Sequence, residues 1–107
     1  MQIEELVYFA ELFDIYGKLL SKKQYEIMNE YLSFNLAETE LAETLGSSRQ
    51  SVHDAISKAK KQLLEFEKAC GILKTARENK NKLTKLKLIL KENDKSTSLI
   101  DDIIENL

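Results

Sequence analysis

Seven polar side chains crowded between positions 48 and 61 have the types that meet a nucleic acid: Ser48, Arg49, Gln50, His53, Ser57, Lys58 and Lys61. Arginine and glutamine each form paired hydrogen bonds to a base edge, of guanine and adenine respectively, and lysine neutralises phosphate. Serine hydroxyls and the free amides of a helix N-terminus hold phosphate oxygens. If these residues share one helix entering a major groove, Arg49, Gln50 and His53 stand nearest the bases. Ser57, Lys58 and Lys61 follow further along, and Ser48 sits at the helix start. Asp54 is discordant, because at 100° per residue it projects beside Gln50, Ser57 and Lys61. It can accept from a cytosine amino group, or pair with Lys58 four residues on, but phosphate repels it.

Other chemistries lack their residues. One histidine and one cysteine make no zinc set, and Cys70 has no partner for an internal disulfide. Cys70 reads as a buried spacer rather than a nucleophile, and His53 as an exposed polar contact rather than a pH switch. Asp101 and Asp102 adjoin in sequence but diverge on a helix, and no glycine loop is built to cradle a phosphate. We expect no catalytic activity, no metal and no cofactor.

The elements that must position the seven residues are helical. Proline is absent and glycine occurs only at 17, 46 and 71, so few places can punctuate a helix. Ile3, Leu6, Val7, Ala10, Phe13 and Tyr16 or Gly17 recur at three- and four-residue steps, predicting a first helix over about 2–19. Ser21-Lys22-Lys23-Gln24 has the capping-box form and opens a second, with Leu20 and Tyr25 at the spacing of a hydrophobic staple. Phe34-Asn35-Leu36 breaks the period. A short third helix over 37–45 faces Leu41, Ala42 and Leu45 inward, Gly46 ends it, and Ser47 or Ser48 caps a fourth with Val52, Ala55, Ile56, Ala59 and Leu63 buried.

That spacing is a helix-turn-helix over about 38–61. A small residue, Ala42, lies four positions before the turn glycine, where two helices cross closely, and apolar anchors Val52 and Ile56 lie six and ten after it. A plain helical hairpin with the same glycine is the alternative reading. Beyond it, the rhythm 56, 59, 63, 66, 70, 73 suggests a packing seam that runs through Gly71. Arg77 to Lys82 interrupts the apolar stripe as a loop or kink. Leu83, Leu86 and Leu90 restart it, Asn93 to Ser98 is a polar linker, and Leu99 to Leu107 is a last short helix. The expected division is 1–73, a helical domain holding the motif, and 74–107, a lysine-rich helical extension. The fold class is all-α.

Charge is unevenly placed. Residues 1–48 carry three lysines against nine acids, 49–91 carry twelve basic residues against four acids, and 92–107 carry one lysine against five acids. A basic middle between acidic ends suits an anionic partner. After Gly71 a merely solvated lysine-rich face explains the composition equally well. The acidic N-terminus and the lack of a long apolar run predict a cytoplasmic protein without signal peptide or membrane insertion.

Leu12 to Gln24 (LFDIYGKLLSKKQ), Ser48 to Asp54 (SRQSVHD) and Leu64 to Lys68 (LEFEK) together resemble the YlxM family of bacterial helix-turn-helix proteins. Residues 21–61 are also similar to region 4 of bacterial sigma factors, a helix-turn-helix without a wing that binds promoter DNA through its second motif helix. The resemblance implies a homodimer whose gene neighbours signal recognition particle components, and a role in regulating or assisting that pathway. Ala37, Ser47 and His53 stand where the family pattern usually has serine, valine and tyrosine. DNA is therefore the expected partner, with transcription regulation as the role. RNA, a signal recognition particle component, or a protein helix docked on the 56–73 seam or on the stripe from Leu83 to Leu90 are the alternatives.

Overall fold

The computed structural model describes residues 2–93 and 96–107, so Asp94 and Lys95 of the expected linker lie outside the described residues. Among the described residues it holds six α-helices and no strand. They are α1 (Ile3–Tyr16), α2 (Lys22–Phe34), α3 (Glu38–Leu45), α4 (Arg49–Cys70), α5 (Ile72–Glu92) and α6 (Ser98–Glu105). The all-α expectation and the helix-turn-helix over 38–61 both hold. The chain divides into two compact units, residues 1–70 and 71–107.

In the first unit α4 is the central rod, with α1, α2 and α3 all packed on it. Leu12 from α1, Met28 from α2, Leu41 from α3 and Ala59 and Leu63 from α4 are wholly inaccessible to solvent. Each large apolar side chain buried in this way contributes about 1.5–3 kcal/mol. Two further contacts pin α4. The Lys60 ammonium lies 5.3 Å from the centre of the Phe9 ring and 5.4 Å from that of Tyr31, joining α4 to α1 and α2. Nearer the C-terminal end, the Tyr16 hydroxyl donates to Glu67 Oε1 at 2.7 Å while the Tyr16 ring stands 6.0 Å from Phe66. Burial and the carboxylates of Glu38 and Glu5 hold the Tyr31 phenol above its ordinary pKa.

Helix ends follow local chemistry. Helix α1 stops at Tyr16, three residues short of the expected end, and Gly17–Leu19 tighten into a 3₁₀ turn. A side chain at Gly17 would meet the Phe13 ring at 3.0 Å, and that ring is itself stacked on Tyr25 at 5.0 Å. The capping box at α2 forms in full: the Gln24 amide donates to Ser21 Oγ and the Ser21 amide to Gln24 Oε1, both at 3.2 Å. Asn35, left-handed at φ 49°, ends α2. Ala37 supplies no side-chain cap to α3.

The second unit corrects three expectations. Gly71 adopts φ 65° and ends the fourth helix, so the 56–73 rhythm spans two helices rather than one seam. Cys70, at that break, is exposed and is not a buried spacer. Arg77 to Lys82 is neither loop nor kink but the middle of a continuous helix α5. Arginine, glutamate and lysine are good helix formers, and the interval contains neither glycine nor proline. The less exposed positions Leu73, Ala76, Leu83, Lys87 and Leu90 keep one stripe in register, and Leu86 at its edge is exposed. Helix α6 buries Ile100, and its Asp101 forms an ion pair with Lys87 of α5 and accepts from the Thr97 hydroxyl at 3.1 Å. No described helix is long and apolar enough to cross a membrane.

Candidate nucleic-acid interface

The turn between α3 and α4 is set by Gly46, whose φ of 66° lies in the left-handed region that side chains rarely adopt. Its amide and that of Ser47 fold back on the last carbonyls of α3, Ser47 N–H reaching Ala42 O at 3.0 Å. Ser48 then caps α4, its Oγ accepting from the Ser51 amide at 3.1 Å. With Val52, Ile56, Ala59 and Leu63 buried, the rotation of α4 is fixed and its opposite side faces solvent.

All seven expected residues are exposed. Gln50, Ser57 and Lys61 project most directly away from the buried stripe, and Arg49 and His53 occupy one flank. Arg49, Gln50 and His53 border, with Glu38 of α3, a shallow depression of about 480 Å³. Ser48, Gln50 and Lys58 border another of about 500 Å³, to which the start of α2 adds Ser21, Lys23 and Gln24. Ser57 and Lys61 continue the exposed face beyond these depressions.

Two hydrogen bonds orient side chains at the tip. His53 Nδ1 lies 3.1 and 3.0 Å from the two carboxylate oxygens of Glu38. A carboxylate has no proton to give, so the ring donates through Nδ1, and in the neutral imidazole Nε2 is left as an acceptor facing out. Gln50 Nε2 donates to Asp54 Oδ1 at 2.9 Å. The Asp54 carboxylate is thus engaged by Gln50, one turn back, and not by Lys58, one turn on. Glutamine and aspartate four residues apart on a helix are neighbours, and a hydrogen bond between them stabilises the helix as an ion pair would.

Three residues of this surface escape a sequence reading. Lys23 and Ser21 are far from Ser48 in sequence and reach it only because α2 packs across α4. Glu38 is fifteen residues from His53, and nothing in its spacing announces the pairing. Conversely, the seam residues Ile56, Ala59 and Leu63 are consumed by the chain's own core, and the Phe66 ring is set against Tyr16. Those side chains are therefore not available to a partner helix. Among the described residues no histidine, cysteine and carboxylate group is clustered so as to hold a metal ion.

A family model described as "Putative helix-turn-helix protein, YlxM / p13 like" matches residues 3–105. Among curated proteins, the chain is 36% identical to a UPF0122 protein of Clostridium botulinum, over 98% of this chain and 100% of that protein. It is 32% identical to one from Clostridium acetobutylicum over 98% of this chain and 96% of the relative. A Bacillus velezensis UPF0122 protein is 35% identical over 94% of each chain. No solved structure matches.

Proposed function

Because the chain belongs to the YlxM / p13-like family of helix-turn-helix proteins, we propose that it binds duplex DNA through α4 and acts as a regulator of transcription. The observation that supports this reading best is the division of α4 into a buried stripe and an exposed surface that bears Arg49, Gln50, His53, Ser57 and Lys58 in its N-terminal half and Lys61 just beyond. The breadth of the B-form major groove admits such a helix, and its N-terminal half leads. Ser48 and the neighbouring free amides of α4 hold a phosphate on one strand, with Lys58 and Lys23 beside them. Gln50 and Arg49 read base edges, and His53 offers Nε2 to an amino group. The working form is a cytoplasmic homodimer, as the family resemblance implies, and the link to the signal recognition particle supplies one setting for the regulated genes.

The reading is tested by fluorescence anisotropy of the intact chain with labelled duplex DNA across a salt series. Affinity falls steeply as salt rises, because each neutralised phosphate releases counterion. Duplex RNA competes poorly, since its deep, narrow major groove does not admit the helix. Absence of binding at low salt overturns the proposal. Equal competition by duplex RNA replaces groove reading with phosphate contact alone.

A further inference from the structure

Asp54 carries a charge that opposes a DNA ligand, yet it sits on the outward face of α4 beside Gln50, Ser57 and Lys61. We propose that Asp54 is a positioning residue that fixes the amide of Gln50 for adenine, an inference that rests on the reading of α4 as the helix entering the groove. A glutamine amide turned by 180° exchanges its carbonyl oxygen for its NH₂ group, and in solvent both arrangements are open to it. The 2.9 Å contact from Gln50 Nε2 to Asp54 Oδ1 favours one of them, because the flipped amide would set oxygen against carboxylate oxygen. One N–H is committed to Asp54. The other N–H and the amide oxygen remain as a donor and an acceptor.

That is the pair adenine requires, with N7 accepting and the N6 amino group donating in the major groove. Guanine presents two acceptors there, N7 and O6, so a locked amide oxygen faces O6 without a proton between them. The carboxylate therefore gives up some attraction to phosphate and gains discrimination between the two purines. Both residues are exposed and one helical turn apart on an uninterrupted helix, so nothing else in the fold depends on the contact.

The test selects duplexes from a library with a randomised central stretch, using the intact chain at fixed low salt, and compares the native protein with Asp54→Ala, Asp54→Asn and Gln50→Ala. The native chain enriches adenine at one position, and Gln50→Ala abolishes that enrichment. Asp54→Ala lowers the adenine-over-guanine preference about tenfold, within the range of one good base contact, while total DNA retained rises. Asp54→Asn keeps the preference, because its side-chain oxygen accepts the same N–H, and also binds more tightly because the charge is gone. If Asp54→Ala tightens binding and leaves the adenine preference intact, Asp54 is only a repulsive charge and the inference fails while DNA binding stands. If the native chain retains no duplex, the DNA reading fails and carries the role of Asp54 down with it.

Discussion

Lysine side chains on α4 differ in what they can be asked to do. Lys58 and Lys61 are exposed, and on the proposed reading they meet phosphate rather than base edges, so Lys58→Ala or Lys61→Ala weakens binding to all duplexes alike. Each substitution also lowers the slope of log affinity against log salt by about 1, which anisotropy titrations measure directly. Lys60, two residues from Lys58, behaves otherwise, because it is half buried over the Phe9 and Tyr31 rings. Lys60→Ala lowers the unfolding midpoint and leaves the salt slope unchanged, since its charge serves the core. The helical period places Lys60 beside the buried stripe and Lys58 and Lys61 outside it. It could not supply Glu38 for His53, since that contact depends on the crossing of two helices, and it paired Asp54 with Lys58 where the nearer amide of Gln50 prevails.

Helix boundaries are where local chemistry is legible and where it misleads. Ser21-Lys22-Lys23-Gln24 and Gly46 announced their caps, because capping needs only a few neighbouring atoms. The start of α3 lacks one: Ala37 occupies the cap position with no side-chain acceptor. Ala37→Ser therefore stabilises the fold by about 0.5–2 kcal/mol, read as a raised unfolding midpoint in urea. Gly46→Ala acts in the opposite direction. The added methyl meets nothing within 4 Å, so the cost is the backbone's alone, about 1–2 kcal/mol for a side chain held at φ 66°. The polar run Arg77 to Lys82 reads as a break only when continuity is judged by apolar residues. Helical continuity rests on hydrogen bonds within the backbone, which charged residues do not disturb. Between α5 and α6 the Lys87 ammonium, with help from the Thr97 hydroxyl, holds the Asp101 carboxyl below its ordinary 3.8. A carboxyl lowered in the folded state contributes stability above that ordinary value and loses it as pH falls through the folded one. The difference in unfolding temperature between the native chain and Asp101→Asn is thus present at neutral pH and vanishes in strong acid.

At the scale of the whole molecule, a homodimer of this chain carries two copies of α4. Sedimentation equilibrium then gives twice 12.3 kDa, and selected duplexes carry inverted half-sites about 34–36 Å apart or a multiple of that spacing. A monomeric mass together with single half-sites refutes the pairing. The basic middle of the chain suits an anionic partner, but charge along a sequence does not say which lysines share a surface, and the two-unit division assigns 49–70 and 71–91 to different bodies. The connections 35–37 and 46–48 within the first unit, each three residues long, bear on something other than shape. Helices joined so closely meet neighbours near in sequence, and such topologies fold in microseconds to milliseconds. A ribosome adds residues at roughly 5–20 per second, so α2, α3 and α4 can assemble in the order they emerge, each turn closing before the next helix is complete. For the first unit, synthesis is then the slow step and folding keeps pace with it.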